Sequence, residues 1–145
     1  MSLERVLILC TGNSARSQMA EGLLRHDFGH RYEVESAGSK PGIVRLEAIA
    51  VMDEIGIDIR SHRSKHVDEF TGQHFDWVIT VCDHARDVCP VFPAATRMVH
   101  HSFDDPAAAT GDEQACLSVF RRVRDEIRAW FRNEFTARQP SPPHA

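Results

Sequence analysis

The chain has 145 residues, which suits one domain with a single core. Its net charge of −4 implies no general affinity for nucleic acid, and no apolar run approaches the ~20 residues of a membrane span. The start, Met-Ser-Leu-Glu-Arg-Val, lacks the basic and apolar regions of a signal peptide, so a cytoplasmic location is expected, in which four cysteines are read as reduced thiols.

Val6 to Leu9 is a continuous apolar run, the mark of a central parallel strand covered on both faces, and it leads straight into Cys10. A helix is expected from Arg16 and Ser17, with Met19, Ala20, Leu23, Leu24 and Phe28 at three- and four-residue spacing, ending near Gly29. Arg31 to Ala37 reads as the second strand, and Ser36-Ala37-Gly38 as the turn after it. Val44 to Ile55 reads as a helix with Leu46, Ile49, Ala50 and Met52 periodic and Gly56 as its stop. Residues 60 to 74 are polar and irregular, apart from a short helix at Val67 to Phe70. Phe75 to Val81 is the third strand and runs into Cys82, as the first runs into Cys10. Residues 83 to 89 form a short helix cut off by Pro90, and Arg97 to His100 a fourth strand. Asp104-Asp105-Pro106 lies in a loop. The last helix runs from about Asp112 to Phe135, with Cys116, Phe120, Val123, Ile127, Trp130 and Phe131 on one buried stripe. Residues 137–145 hold three prolines and no hydrophobic pattern, so a disordered tail is expected after a single domain over residues 1–136.

Strands alternating with helices predict an α/β fold: a three-layer, open, four-stranded parallel sheet with helices on both faces. The order 2-1-3-4 makes the first and third strands neighbours. Ligands of such sheets sit beyond the carboxyl ends of the strands, where Cys10 and Cys82 would share one crevice.

The stretch Cys10-Thr11-Gly12-Asn13-Ser14-Ala15-Arg16-Ser17 suits a tetrahedral oxyanion. Gly12 lets the loop curl so that the amides of residues 11 to 16 form a nest at a helix N-terminus. Arg16 grips two oxygens with its fork, and Ser17 donates to the Cys10 sulfur. A sulfur so placed ionises well below its free value and becomes a nucleophile. The plain alternative is a free cysteine packed at a strand end.

Cys82 and Cys89 are seven residues apart, a rise of ~10.5 Å if helical, whereas a disulfide needs Cα atoms within roughly 7 Å. They can join only if the polar segment between them unwinds. The pair reads either as a thiol relay from Cys10 to the surface or as two small buried hydrophobes. A Cys-x6-Cys spacing lacks the short intervals of a zinc site, and no metal is expected. Asp105, at the same edge of the sheet, suits a general acid or a turn residue. The nine histidines, His62 and His66 among them, read as solvated or capping groups.

CTGNSARS after an apolar strand, ESAG at 35–38, VCDHARDVCPVFP at 81–93 and FDDPA at 103–107 together resemble the thioredoxin-coupled arsenate reductases, which share the low-molecular-weight tyrosine phosphatase fold, itself flavodoxin-like. The resemblance covers residues 5 to about 135. It implies that Cys10 attacks arsenate held by the loop amides and Arg16, that Asp105 aids departure of a hydroxyl, and that Cys82 then displaces arsenite. Cys89 moves the disulfide on to the Cys82–Cys89 pair for reduction by thioredoxin, with no cofactor and, by expectation, as a monomer. Some members have an acidic residue where this chain has Lys65, in a cluster with counterparts of Asn13, Glu21 and Ser36 that holds potassium. Here the Lys65 ammonium is expected to replace the ion. The Asp-Pro loop continues Ala107-Ala108-Ala109, without the tyrosines of a phosphotyrosine pocket. The alternatives are a phosphatase acting on phosphomonoesters through Cys10, Arg16 and Asp105 alone, a phosphocysteine carrier, and a redox sensor without turnover.

Overall fold

Val6, Leu7, Ile8 and Leu9 are all buried. Neighbouring strand residues face opposite sides of a sheet, so four in succession require cover on both faces. The computed structural model describes residues 3–90, 92–93 and 96–137. It places these four inside β1 (Glu4–Cys10), between β2 (Tyr32–Gly38) and β3 (Trp77–Thr80), with β4 (Arg97–His100) at the far edge. All pairings are parallel, as the alternation of elements predicts, and the order is the expected β2-β1-β3-β4. β4 occupies its predicted residues.

The helices are α1 (Arg16–Phe28), α2 (Leu46–Asp53), α3 (Asp83–Asp87) and α4 (Glu113–Ala137). α1, α2 and α4 pack on one another, while α3 sits against β1 and β3. Phe135 of α4 meets Tyr32 edge-on at 5.0 Å and Trp77 at 5.5 Å, closing an aromatic core under the sheet. Two 3-10 turns, Val67–Phe70 and Pro106–Ala108, complete the secondary structure of the described residues.

Five expectations need correction. Gly38 does not begin a turn: it ends β2, paired with Cys10, and its amide donates to the Lys65 carbonyl at 2.9 Å. α2 starts at Leu46 and not at Val44, because the Arg45 amide is drawn to the Ser14 carbonyl at 2.9 Å and Arg45 stays extended. Leu46, expected on the buried face, is 76% exposed; Gly56, at φ +79°, does turn the chain out after α2. Cys116 is not core but half-buried, its thiol directed to the Ala109 carbonyl at 3.6 Å. Finally, α4 runs through Ala137, which the expected tail had included; residues 138–145 of that tail lie outside the described residues.

Candidate active site

The loop between β1 and α1 turns its carbonyls outward one after another. Thr11 O accepts from the Lys40 amide at 2.9 Å, Gly12 O from Ser64 Oγ at 3.0 Å, Asn13 O from Gln18 Nε2 at 3.0 Å and Ser14 O from the Arg45 amide at 2.9 Å. In a trans peptide the N–H lies opposite the C=O. The amides of Gly12, Asn13, Ser14 and Ala15 therefore face the other way, into the space beside Cys10. No protein acceptor is found for these four among the described residues. Unpaired donors converging at a helix N-terminus form an anion nest.

The curl is carried by Asn13 and not, as expected, by Gly12. Asn13 is the non-glycine residue in the left-handed region, at φ 46°. It is fully buried, and its side chain holds the bend. Nδ2 donates to Ser17 Oγ at 2.8 Å and Ser36 Oγ at 2.9 Å, while Oδ1 accepts from the Lys65 amide at 2.8 Å and Gln18 Nε2 at 3.0 Å. Ser17 is thus engaged with Asn13; the expected bond from Ser17 to Cys10 is absent among the described residues. Ser36 passes the chain on to Glu21 at 2.6 Å.

Glu21 is ringed by basic side chains. Arg25 lies at 2.8 Å, Lys65 Nζ at 3.5 Å and His62 Nε2 at 3.5 Å. Burial pushes the Glu21 carboxyl up, but the charges of His62, Lys65 and Arg25 and the Ser36 hydrogen bond outweigh it and hold it below its ordinary value. Lys65 Nζ also reaches Glu35 at 3.2 Å, so this cluster contains its own cation and its donors are committed. The residues do not fit an added metal ion. His62, expected to be solvated or capping, is half-buried, its side chain set against Gln18 and Glu21, and burial lowers its tendency to protonate. His66 does cap the 3-10 turn, accepting from the Asp68 amide at 3.0 Å.

Two cysteines meet at the mouth of the nest. Cys10 donates to Cys82, and this bond together with burial pushes the Cys10 thiol up, against Arg16 and the Thr11 amide. Cys82 is pulled down to about 5, first by that bond, then by Thr11 Oγ1 at 3.3 Å, the Ala85 amide at 3.4 Å and the charge of Arg16, against burial. The pair thus holds one proton between two sulfurs, and its ionisation belongs to both. Cys82 also caps α3. Cys89 lines a cleft with Cys10, Leu9, Ser39 and Ala85, and burial raises its thiol.

Arg16 is anchored at the opposite wall. Its Nη1 donates to the Phe103 carbonyl at 3.1 Å and its Nη2 lies 3.8 Å from Asp105 Oδ2. Asp105 caps the Pro106–Ala108 turn through the Ala107 amide at 3.0 Å and leaves its other oxygen toward Arg16. The fold thus gathers Cys10, the loop 11–16, Cys82 and Asp105, with Cys89 behind Cys10. Sequence reasoning missed Gln18, Ser64 and Gly38 as supports. Gln18 carries a legible sign, a polar residue in the first turn of a helix otherwise read by its apolar positions.

A sheet of order 2-1-3-4 with an anion nest after its first strand and an arginine closing it defines a class. Residues 5–138 match the low molecular weight phosphotyrosine protein phosphatase family, and the chain belongs to that family. Within it, the chain is 47% identical over 127 residues to an arsenate reductase of Halalkalibacterium halodurans, covering 88% of this chain and 91% of that protein. Among solved structures it is similar to an arsenate reductase in the oxidized state, with a TM-score of 0.80 and 29% identity over 93% of this chain and 98% of that one. It is also similar to the thioredoxin-dependent arsenate reductase of Corynebacterium glutamicum, with a TM-score of 0.69 and 26% identity over 94% of this chain and 64% of that one.

Proposed function

We propose that the chain is an arsenate reductase that works by a relay of three thiols. The observation that carries this reading is the contact of Cys10 with Cys82 at an anion nest, with Cys89 in the next cleft. A phosphatase needs only the first of these sulfurs.

The chemistry follows from the placement. Arsenate binds to the amides of residues 12 to 16 and to the Arg16 fork. A shift of one proton from Cys10 to Cys82 makes the Cys10 thiolate without an external base. It attacks arsenic; Asp105 protonates the departing oxygen, which leaves as water. Cys82 then attacks the Cys10 sulfur, passing the proton it took to an oxygen of the departing arsenite. The sulfur–arsenic bond breaks with its electron pair on arsenic, so arsenite departs and a Cys10–Cys82 disulfide remains. Cys89 attacks Cys82, Cys10 leaves as a thiolate, and the Cys82–Cys89 disulfide awaits an external dithiol. Each arsenate and two thiols thus yield arsenite, water and one disulfide.

Thioredoxin is the proposed reductant, supported by the similarity to a thioredoxin-dependent relative. All three sulfurs lie on one chain, so a monomer suffices. No helix among the described residues is long and apolar enough to cross a membrane; the reducing cytoplasm, where the resting thiols persist, is the proposed compartment.

The test is arsenite production with thioredoxin, its reductase and NADPH against a control without arsenate. Cys89→Ser should release a single arsenite per chain and stall. A variant that keeps turning over phosphomonoesters while wild type makes no arsenite would favour a phosphatase.

A further inference from the structure

The second exchange of the relay asks for two events that the reduced arrangement withholds. Cys89 must lose a proton that burial makes it hold. Cys82 and Cys89 must also come together, and α3 stands between them with Cys82 as its cap. Disulfide geometry requires that helix to unwind.

His100 stands where the two events meet. It is the last residue of β4. Its Nε2 lies 3.0 Å from Oδ1 of Asp83, the first residue of α3, and its Nδ1 lies 2.7 Å from Oγ1 of Thr80, the last residue of β3. It lines one cleft with Cys89, Thr80, Arg86, Met98 and Val99. The charged and titratable groups facing it are Asp83 and Arg86 from α3, the latter 4.0 Å from Asp83, and Cys89 beyond the helix. β3 offers the neutral Thr80.

We infer that His100 accepts the proton of Cys89 in the exchange that forms the Cys82–Cys89 disulfide, and that unwinding of α3 is what frees it to do so. The inference rests on the relay proposed above. While α3 is folded, Nε2–H donates to Asp83 and the Thr80 hydroxyl donates to Nδ1, so no lone pair is spare. Asp83 leaves with the unwinding helix. A hydroxyl either donates or accepts, so Thr80 can then take an Nδ1–H and leave the Nε2 lone pair open to the cleft. Nε2 takes the Cys89 proton. The Cys89 sulfur bonds to Cys82, the Cys10–Cys82 bond breaks, and Cys10 departs with the electron pair as a thiolate. The imidazolium then returns its proton to solvent. No net oxidation occurs in this step, and the base becomes available only when its substrate thiol can reach its target.

The test is a quenched single turnover of the full chain with arsenate and no reductant. Free thiols are alkylated at each time, and the Cys10–Cys82 and Cys82–Cys89 bridges are counted by mass spectrometry across a pH series. His100→Gln should slow conversion of the first bridge to the second about a hundredfold at neutral pH, relative to formation of the first. The deficit should shrink with rising pH, as hydroxide replaces the base, and with added imidazole. Asp83→Ala should convert the bridges at least as fast as wild type. Conversion by His100→Gln at the wild-type rate overturns the inference. So does an equal slowing at every pH that imidazole does not relieve and that Asp83→Ala reproduces. Wild-type protein that forms no Cys10–Cys82 bridge overturns the relay itself, and this step with it.

Discussion

Cys10 hydrogen-bonds to Cys82 across the carboxyl ends of neighbouring strands, and the two sulfurs hold one proton between them. Shared protons make the first ionisation easy and the second hard. Thiolate absorbance of the reduced protein should therefore appear in a step near pH 5, the value to which Cys82 is lowered. Below that pH the charge is lost and alkylation at the site should slow. Cys10→Ala removes the largest cause of the lowering, so the step should move upward toward the ordinary thiol range. A step unmoved by Cys10→Ala would mean that the sulfurs do not share the proton.

Gly38 should tolerate no side chain. A Cβ there would lie 2.4 Å from the Thr11 carbonyl oxygen and 3.0 Å from the Asn13 amide nitrogen, both backbone atoms of the nest. Gly38→Ala should destabilise the protein by about 1–3 kcal/mol, as overpacking does. It should also weaken binding of inorganic phosphate, because relief of the clash moves the loop. Thermal unfolding and calorimetric titration with phosphate check both effects.

Asp105 should matter to chemistry and not to affinity. It contacts Arg16 at 3.8 Å and carries the only role in the scheme that removes oxygen from arsenic. Asp105→Asn should lower the rate of the first arsenite burst about a hundredfold. Phosphate binding should not weaken, since a negative group near the anion has been removed. A large loss of affinity with an intact burst rate would reassign Asp105 to binding.

How much of this was legible beforehand depended on range. β1 and its exit into Cys10 are readable because Val6 to Leu9 is apolar throughout, and α1 because its apolar residues recur at helical spacing. Cys10, Arg16 and Asp105 carry recognisable chemistry in recognisable places. What was not legible depends on partners far along the chain. Asn13 carries the curl because Ser36 and the Lys65 amide reach it from other segments. Gly38 stays in the strand because Lys65 receives its amide. His62 is drawn out of solvent because α1 presents Gln18 and Glu21 to it. Cys10 shares a proton with Cys82 only because β1 and β3 are neighbours. Cys116 misled because helical periodicity gives the direction of a residue but not where along the helix the cover ends.

Lys65 bears on ion dependence. Its ammonium lies 3.5 Å from Glu21 and 3.2 Å from Glu35, where it balances the carboxylate behind the nest. Reductase activity should be equal in potassium and sodium chloride at matched ionic strength. Lys65→Gln should lower it, by leaving Glu21 less compensated in a buried site. A specific activation of wild type by potassium would contradict this.

Asp27 joins α1 to α4. Burial alone would raise its carboxyl, but hydrogen bonds from Arg128 at 2.8 Å and from His26, with the charge of Arg132, hold it down to about 2. From an ordinary 3.8, that shift corresponds to about 2 kcal/mol. The folded value is the lower one, so the contribution is full above the unfolded pKa and is lost as pH falls toward 2. Asp27→Asn should therefore cost about 2 kcal/mol in urea unfolding at neutral pH, and progressively less as the pH is lowered below 4.

The central claim is that oxidation passes from the anion-bound sulfur to Cys89 by way of Cys82. Mapping the bridges of the wild-type protein after one turnover with arsenate, with free thiols blocked and no reductant present, tests it most directly. The account predicts a Cys82–Cys89 bridge with Cys10 recovered as a free thiol. Oxidised protein in which Cys89 is never joined to Cys82 would contradict it.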